Sequence, residues 1–461
     1  MNWNNIFTQE RYGTSTITSD SRSEFQRDFD RLIFNSGFRR MQNKTQIFPL
    51  PGVAQVHNRL THSLEVASVG RSLGKMVGDY IVDTFKSELN NEHRVFYLHE
   101  MPHVIAAACL AHDIGNPPFG HSGEKAISKY FNDNKDSIIE SRNRLRDYFD
   151  SIYWEELLNF EGNANGLRYL THSFNGKTPG GLRLTYTTLA ATLKYPCAVN
   201  AIDKNLKYRS KFNFFQHERK IFNTICRKTN MIQVSENPLT FKRHPFVYLT
   251  EAADDICYKL IDIEDAQRLK IVDSNKVIGY MLKLIRCLKV HNYSKVEESI
   301  SRIDDINDIV SYLRAKCINA LTVICADRFK TNIHEIINGT YNDDLISLIN
   351  TQCTEMQDIS KLTENEIYNH PKVMKIEVAG YKILYDLLEL FIPAVLKESP
   401  SHLDKKLIRI IPKQFMYDEQ LINVSYYEKV FSVLDFLSGM TDAYALNLYK
   451  ELKGIVINTH D

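Results

Sequence analysis

Four residues far apart in the chain have the chemistry of one metal site. His112-Asp113 closes an apolar run and precedes IGNPPFG. Consecutive helical side chains diverge by about 100°, yet an imidazole and a carboxylate at a helix end can both reach an ion placed off that end. The pairing suits a divalent transition metal. Alone, the dipeptide reads first as a capping pair at a helix C-terminus; its company changes that. RLTH sets Arg59 and His62 three residues apart, on one helical face. EAADDICYKLID sets Asp254, Tyr258 and Asp262 at i, i+4 and i+8 on another, while Ile256, Leu260 and Ile263 take much of the rest. His62, His112, Asp113 and Asp254 are therefore the candidate ligands. Two nitrogens and two carboxylates, with water in the open positions, fit Mn²⁺, Fe²⁺ or Mg²⁺ better than a closed zinc site. Asp254 is preferred to Asp255 because it shares its face with Tyr258 and Asp262.

The elements that must carry these residues are helical. Glycine and proline are sparse, at 19 and 13 in 461 residues, and apolar residues recur at i, i+3, i+4 and i+7 over long stretches. Leu64, Val66, Val69, Leu73, Met76 and Val77 mark a helix from Arg59. Another spans Pro102 to Leu110 and stops at Gly115 and Pro117-Pro118. Further helices are expected over Tyr248–Gln267, Lys372–Glu389 and Tyr426–Leu452. A short hairpin is expected near Gln46 to Val56, and loops at Asn132–Ser141 and Asn175–Gly181. The expected fold is mostly α: a helical core over residues 1–273, with a C-terminal helical extension, 274–461, packed on it.

Composition narrows the function classes. Hydrophobic residues at 43% and charged residues at 25% are ordinary for a globular protein. A chain of this length can bury a large core without disulfides. Lysine plus arginine total 57 against 56 acidic residues, so no global field draws the chain to nucleic acid or an anionic membrane. The eight cysteines are scattered without a CxxC pair, which argues against a zinc ribbon and for reduced thiols. The N-terminus, MNWNNIFTQERYG, has no signal-peptide core. The longest apolar run, Val104–Ala111, is far short of the roughly 20 residues that span a bilayer. A cytoplasmic protein with no membrane association is expected.

The order H…HD…D resembles the HD phosphohydrolase superfamily. Longer strings narrow it: FRRMQNKTQIFPL, HNRLTHSLEVA, LAHDIGNPPFGHSGE, FEGNANGLR, LKYP, RHPFVYLTEAADDICY and FLSGMTDAYA. In this order, over roughly residues 1 to 452, they resemble the dGTP triphosphohydrolase family. The resemblance implies an HD-type helical fold and hydrolysis of a deoxynucleoside triphosphate to deoxynucleoside and inorganic tripolyphosphate, with metal-activated water attacking the α-phosphate. The four candidate ligands match the family's metal motif. His121 and Glu124, three apart in HSGE, match its catalytic pair, the carboxylate being expected to orient the imidazole and raise its pKa.

The family's phosphate-contacting positions match Arg59, Asn163, Lys194, Tyr195, Lys211 and Tyr258. Asp262 is expected to hold the sugar 3′-hydroxyl or a basic phosphate ligand. Gln46 matches a position near the base and sugar, and Glu377 one that reads guanine, with Tyr368 packing nearby. The resemblance also implies a homo-oligomer, commonly a hexamer, and a response to single-stranded DNA or to a dNTP effector. Two alternatives remain open. One is an HD nucleotidase or phosphodiesterase of other specificity, which would not need the Lys194-Tyr195 and Lys211 cluster. The other is a nucleotide- or nucleic-acid-binding regulator with vestigial hydrolysis. The basic residues Lys204, Lys207, Arg209 and Lys211 could serve such binding, and Phe212, Phe214 and Phe215 are expected in the core.

Overall fold

Caps and glycines fix where the helices run and how closely they meet. The computed structural model describes residues 1–14, 21–47, 56–416 and 424–456. Nine helices position the site: α1 (Arg59–Thr84), α2 (Met101–Ala111), α3 (His121–Asp133), α4 (Gly162–Thr171), α5 (Pro245–Arg268), α6 (Ile306–Thr331), α7 (Pro371–Leu396), α8 (Tyr426–Ser438) and α9 (Asp442–Leu452). Asn58 starts α1 with a capping box, its side chain accepting from the Thr61 N–H while the Thr61 hydroxyl accepts from its own. Proline at the first turn opens α5 and α7.

The buried stripe of α1 begins at His62 and continues through Val66, Val69, Leu73, Val77 and Ile81. Beside it run Gly70, Gly74 and Gly78. A Cβ at Gly70 would come within 2.5 Å of Cys109 Sγ, and one at Gly78 within 2.1 Å of the Tyr97 carbonyl. Only glycine allows so close an approach, and α2 with the turn before it packs against this row. Nearly every residue of α2 is buried, as an all-round apolar helix requires. The start of α1 and the end of α2 thereby meet: the His62 and His112 rings are 5.4 Å apart.

Two hydrophobic clusters flank the site. One gathers α1, α2, α5 and α6; the other gathers α3, α7, α8 and α9 with Phe212 and Phe215. Residues from both sides of position 273 contribute to each. The mostly α expectation holds. Among the described residues the named strands form two short antiparallel pairs, Ile138–Glu140 with Asn143–Arg144 and Gln233–Glu236 with Leu239–Phe241.

Several finer expectations change. The single helix expected over Tyr426–Leu452 is broken into α8 and α9, because Thr441 caps a new start, accepting from the Tyr444 N–H. The hairpin expected near Gln46 to Val56 falls largely on residues 48–55, outside the described residues. Cys287 and Cys353, 66 residues apart, are joined as a disulfide, while the other six cysteines are free and buried. That pairing was hidden by its separation in sequence. By length and composition α6 could cross a membrane. Its buried residues, Val310, Leu313, Cys317 and Leu321 among them, lie in the first cluster, as in a core helix.

Candidate active site

A cavity of about 330 Å³ opens where the ends of these helices converge, within the range of small-molecule sites. One corner is built to hold a cation. His62 Nε2 lies 3.0 Å from Asp254 Oδ1, and His112 Nε2 lies 3.5 Å from the same oxygen. One ligand atom from each of the three residues falls within 4.8 Å of the others. Asp113 sits at the edge of this group, Oδ1 3.7 Å from His112 Nε2. Its carboxylate accepts from Arg59 at 2.7 Å and from the Asn116 amide at 2.5 Å.

The donor set fits a divalent cation. His112 Nδ1 bonds the Cys109 carbonyl at 2.6 Å, which orients the ring and leaves Nε2 for the site. Nε2 itself is buried without a hydrogen-bond partner among the described residues. Burial disfavours the charged imidazole, but Asp113 and Asp254 outweigh it and push His112 up to about 9. Burial likewise disfavours the Asp254 carboxylate, yet His112 and His62 hold it well below its ordinary range. A field that retains a proton so firmly would favour a metal ion in its place.

The opposite corner has the reverse electrostatics. His121 opens α3, and Glu124 lies one turn on. Desolvation and the Lys211 and Arg59 cations lower the His121 pKa. Burial and the neighbouring Glu161 raise Glu124 to about 7. No hydrogen bond joins this pair among the described residues. Glu124 Oε1 accepts instead from the Gly162 N–H at 2.8 Å. The expected net rise of His121 is not seen: burial, Lys211 and Arg59 outweigh the pull of Asp113 and Glu161.

The cavity brings together Gln46, Arg59, His112, Asp113, His121, Glu124, Asn163, Lys194, Tyr195, Lys211, Asp254 and Tyr258 of the expected residues. His62 lies behind the wall and reaches the site through Asp254. Two more of the expected residues are not among those that line the cavity. Asp262 does not line the cavity; it is buried and accepts from the Tyr368 hydroxyl at 2.7 Å, which also bonds Tyr258. A carboxylate so enclosed is filled by its own neighbours. Glu377 is exposed on α7 in a stretch, 374–379, that has no buried residue, so it faces solvent and not the cavity.

Sequence reasoning missed the carboxylates that partner the bases. Lys211 pairs with Glu161 at 2.8 Å, Lys194 with Glu251 at 3.4 Å, and Arg243 bonds both oxygens of Glu251. Burial and the carboxylates of Glu251 and Asp254 push Asp255, at the cavity wall, up to about 7, against the pull of Lys194. Each missed residue lies inside a string already singled out: Glu161 in FEGN, Glu251 and Asp255 in TEAADD. What the sequence withholds is the lysine partner, 50 or more residues away for Lys211 with Glu161 and for Lys194 with Glu251. Of the basic stretch, Lys207 is engaged with Asp343 and Asp344. Phe212, Phe214 and Phe215 are fully buried, as expected.

Residues 59–204 match the HD domain family and residues 347–451 the phosphohydrolase-associated domain. The chain is 34% identical to a deoxyguanosinetriphosphate triphosphohydrolase-like protein of Synechocystis sp., covering 99% of this chain and 100% of that one. It is 33% identical to a protein of the same description from Pseudomonas aeruginosa, over 98% and 99% of the two chains. Identity is 28%, over 97% of each chain, to a deoxyguanosinetriphosphate triphosphohydrolase of Yersinia enterocolitica.

Proposed function

The chain belongs to the deoxyguanosinetriphosphate triphosphohydrolase-like family of HD-domain hydrolases, and from that premise we propose that it hydrolyses dGTP, foremost among the dNTPs, to deoxynucleoside and inorganic tripolyphosphate. The observation that carries the reading is one cavity whose wall carries His112 and Asp254 with His62 behind them, three basic side chains and the His121–Glu124 corner.

In this reading His62, His112 and Asp254, with Asp113 beside them, hold a divalent cation, of which Mn²⁺, Mg²⁺ and Fe²⁺ are the candidates. Bound there, it supplies Lewis-acid polarisation of a phosphoryl oxygen. Arg59, Lys194 and Lys211, with Asn163, Tyr195 and Tyr258, bind the phosphate chain. Each of those bases already faces a carboxylate, so the cavity has no cationic excess of its own; this supports a dependence on added metal. His121, neutral because its pKa is lowered, accepts the proton that water loses as its oxygen bonds the α-phosphorus. Glu124, raised to about 7, holds a proton for the 5′-oxygen as its bond to that phosphorus breaks. One proton leaves the water and one reaches the nucleoside. The buried side-chain carbonyl of Gln46, without a partner among the described residues, supports a contact to a donor on the base or sugar.

Incubation of the purified chain with each dNTP and Mg²⁺ or Mn²⁺, followed by identification of the phosphate product, tests this. Tripolyphosphate is expected; orthophosphate or pyrophosphate overturns it. Assembly into a homo-oligomer belongs to the same proposal, and sedimentation of the purified chain tests that part.

A further inference from the structure

The turn that joins α2 to α3 has an unusual backbone. Phe119 has φ 61° and Gly120 has φ 56°. A left-handed conformation at a bulky residue is costly and persists only where its surroundings impose it. Those surroundings come from the far end of the chain. The Phe119 N–H donates to Asp442 Oδ1 at 2.9 Å, and Asp442 Oδ2 accepts from the Thr45 N–H at 2.8 Å. Next to this, Lys44 Nζ donates to the Asn116 carbonyl at 2.6 Å and to that of Ser438, the last residue of α8, at 2.7 Å. Lys44 and Asp442 are only 4% and 2% exposed. The Phe119 ring occupies the space where any side chain at Gly380 of α7 would go, since a Cβ there would come within 2.3 Å of it. On the other side, a Cβ at Gly120 would come within 2.5 Å of the Arg59 guanidinium.

Both ends of the turn lead into the site. Asn116 donates to the Asp113 carboxylate, and the residue after Gly120 is His121. We propose that Lys44 and Asp442 are positioning residues through which the C-terminal helices splint the Asn116–Gly120 turn, so that Asp113 and His121 hold their working geometry only with the splint in place. The inference rests on the assignment of His121 to proton transfer. It gives the FLSGMTDAYA string a task, since Ser438 and Asp442 are its polar anchors. It also joins the two family-matched regions, through a lysine that lies in neither. The link survives loss of charge. Burial and Arg59 pull Lys44 down to about 7, and a neutral amine still has two N–H donors for two carbonyls.

The test uses the full chain with Lys44→Met, Asp442→Ala and the milder Asp442→Asn, which keeps one acceptor oxygen. Backbone amide exchange is read at Gly120 and Glu124, whose N–H groups bond Pro117 O and Gly120 O and touch neither variant residue. Turnover is read well below the unfolding temperature. Lys44→Met and Asp442→Ala are expected to speed exchange at those two amides about tenfold while the α1 and α2 amides keep their protection. The kcat for dGTP should fall about 10²-fold with KM within about threefold, as small misplacements of a reacting group do. Asp442→Asn should fall between these and the unaltered chain. Folded variants with unaltered kcat, or with unaltered exchange at Gly120 and Glu124, would overturn the proposal even if their Tm were lower. If the unaltered chain does not hydrolyse dGTP, the function fails; exchange still decides the splint.

Discussion

Two histidines share one cavity and are driven in opposite directions. His112, among Asp113 and Asp254, is pushed up to about 9. His121, beside Lys211 and Arg59, is pushed down. The carboxylates diverge too: Asp254 stays well below its ordinary range, while Glu124 rises to about 7. Imidazole and carboxyl are thus shifted in opposite directions by burial and by the charges beside them. In the proposed reading the first corner holds a cation, and the second keeps an uncharged base beside a carboxyl that still carries a proton in part at neutral pH.

Removing the anion that defines the first corner should have the largest effect. Asp254→Ala is expected to lose bound metal and lower kcat on the order of 10⁴-fold, the several kcal/mol that Lewis-acid catalysis supplies. The helical circular dichroism should stay near that of the unaltered chain, because Asp254 faces the cavity and not the core. Metal content per chain decides it: full occupancy in the variant would dissolve the cation corner.

Next comes the second corner. His121→Ala should lower kcat about 10²- to 10³-fold, the range of general acid–base catalysis, with KM for dGTP nearly unchanged. A rise in KM alone would move His121 to uniform binding. The pH profile sharpens the comparison further. Neutral His121 requires deprotonation, so kcat/KM climbs as pH rises through a value below the ordinary imidazole one. Protonated Glu124 is lost as pH passes about 7, so the rate falls there. A narrow bell results, and Glu124→Gln should erase its alkaline limb.

How much of this contrast was legible in the sequence depends on range. His112-Asp113 and the i, i+4 pairing of Asp254 with Tyr258 are local, and helical period alone gave their faces. The α1–α2 approach was hidden, although Gly70, Gly74 and Gly78 stand in plain view, because spacing does not say which helix comes close. The signs of the pKa shifts were hidden more deeply. HSGE suggested that Glu124 would raise His121; burial and Lys211, some 90 residues on, lower it instead, and the Gly162 N–H takes the carboxylate. Motif strings located nearly every cavity residue, whereas their pairing, Lys211 with Glu161 or Lys194 with Glu251, is a product of the fold.

Lys211 is therefore the residue that ties sequence error to chemistry. Lys211→Met removes a cation that depresses both His121 and Glu124. Both limbs of the bell should move to higher pH, and KM for dGTP should rise about tenfold, the value of one charged hydrogen bond. Unmoved limbs would show that desolvation alone sets the second corner.

The smallest effect is expected at Glu377, where family position and geometry disagree. Within one chain its carboxylate is exposed, in a stretch of α7 with no buried residue, and it touches no part of the cavity lining. An exposed side chain without partners contributes within about 0.5 kcal/mol, so Glu377→Ala should leave kcat/KM for dGTP and dATP, and their ratio, within about twofold. Met374 and Val378, beside it on the same turns, are unusually exposed for their size, at 41% and 68%. A loss of dGTP preference in the variant would mean that this stretch is covered in the working enzyme, and that a guanine contact is completed by a surface which a single chain leaves open.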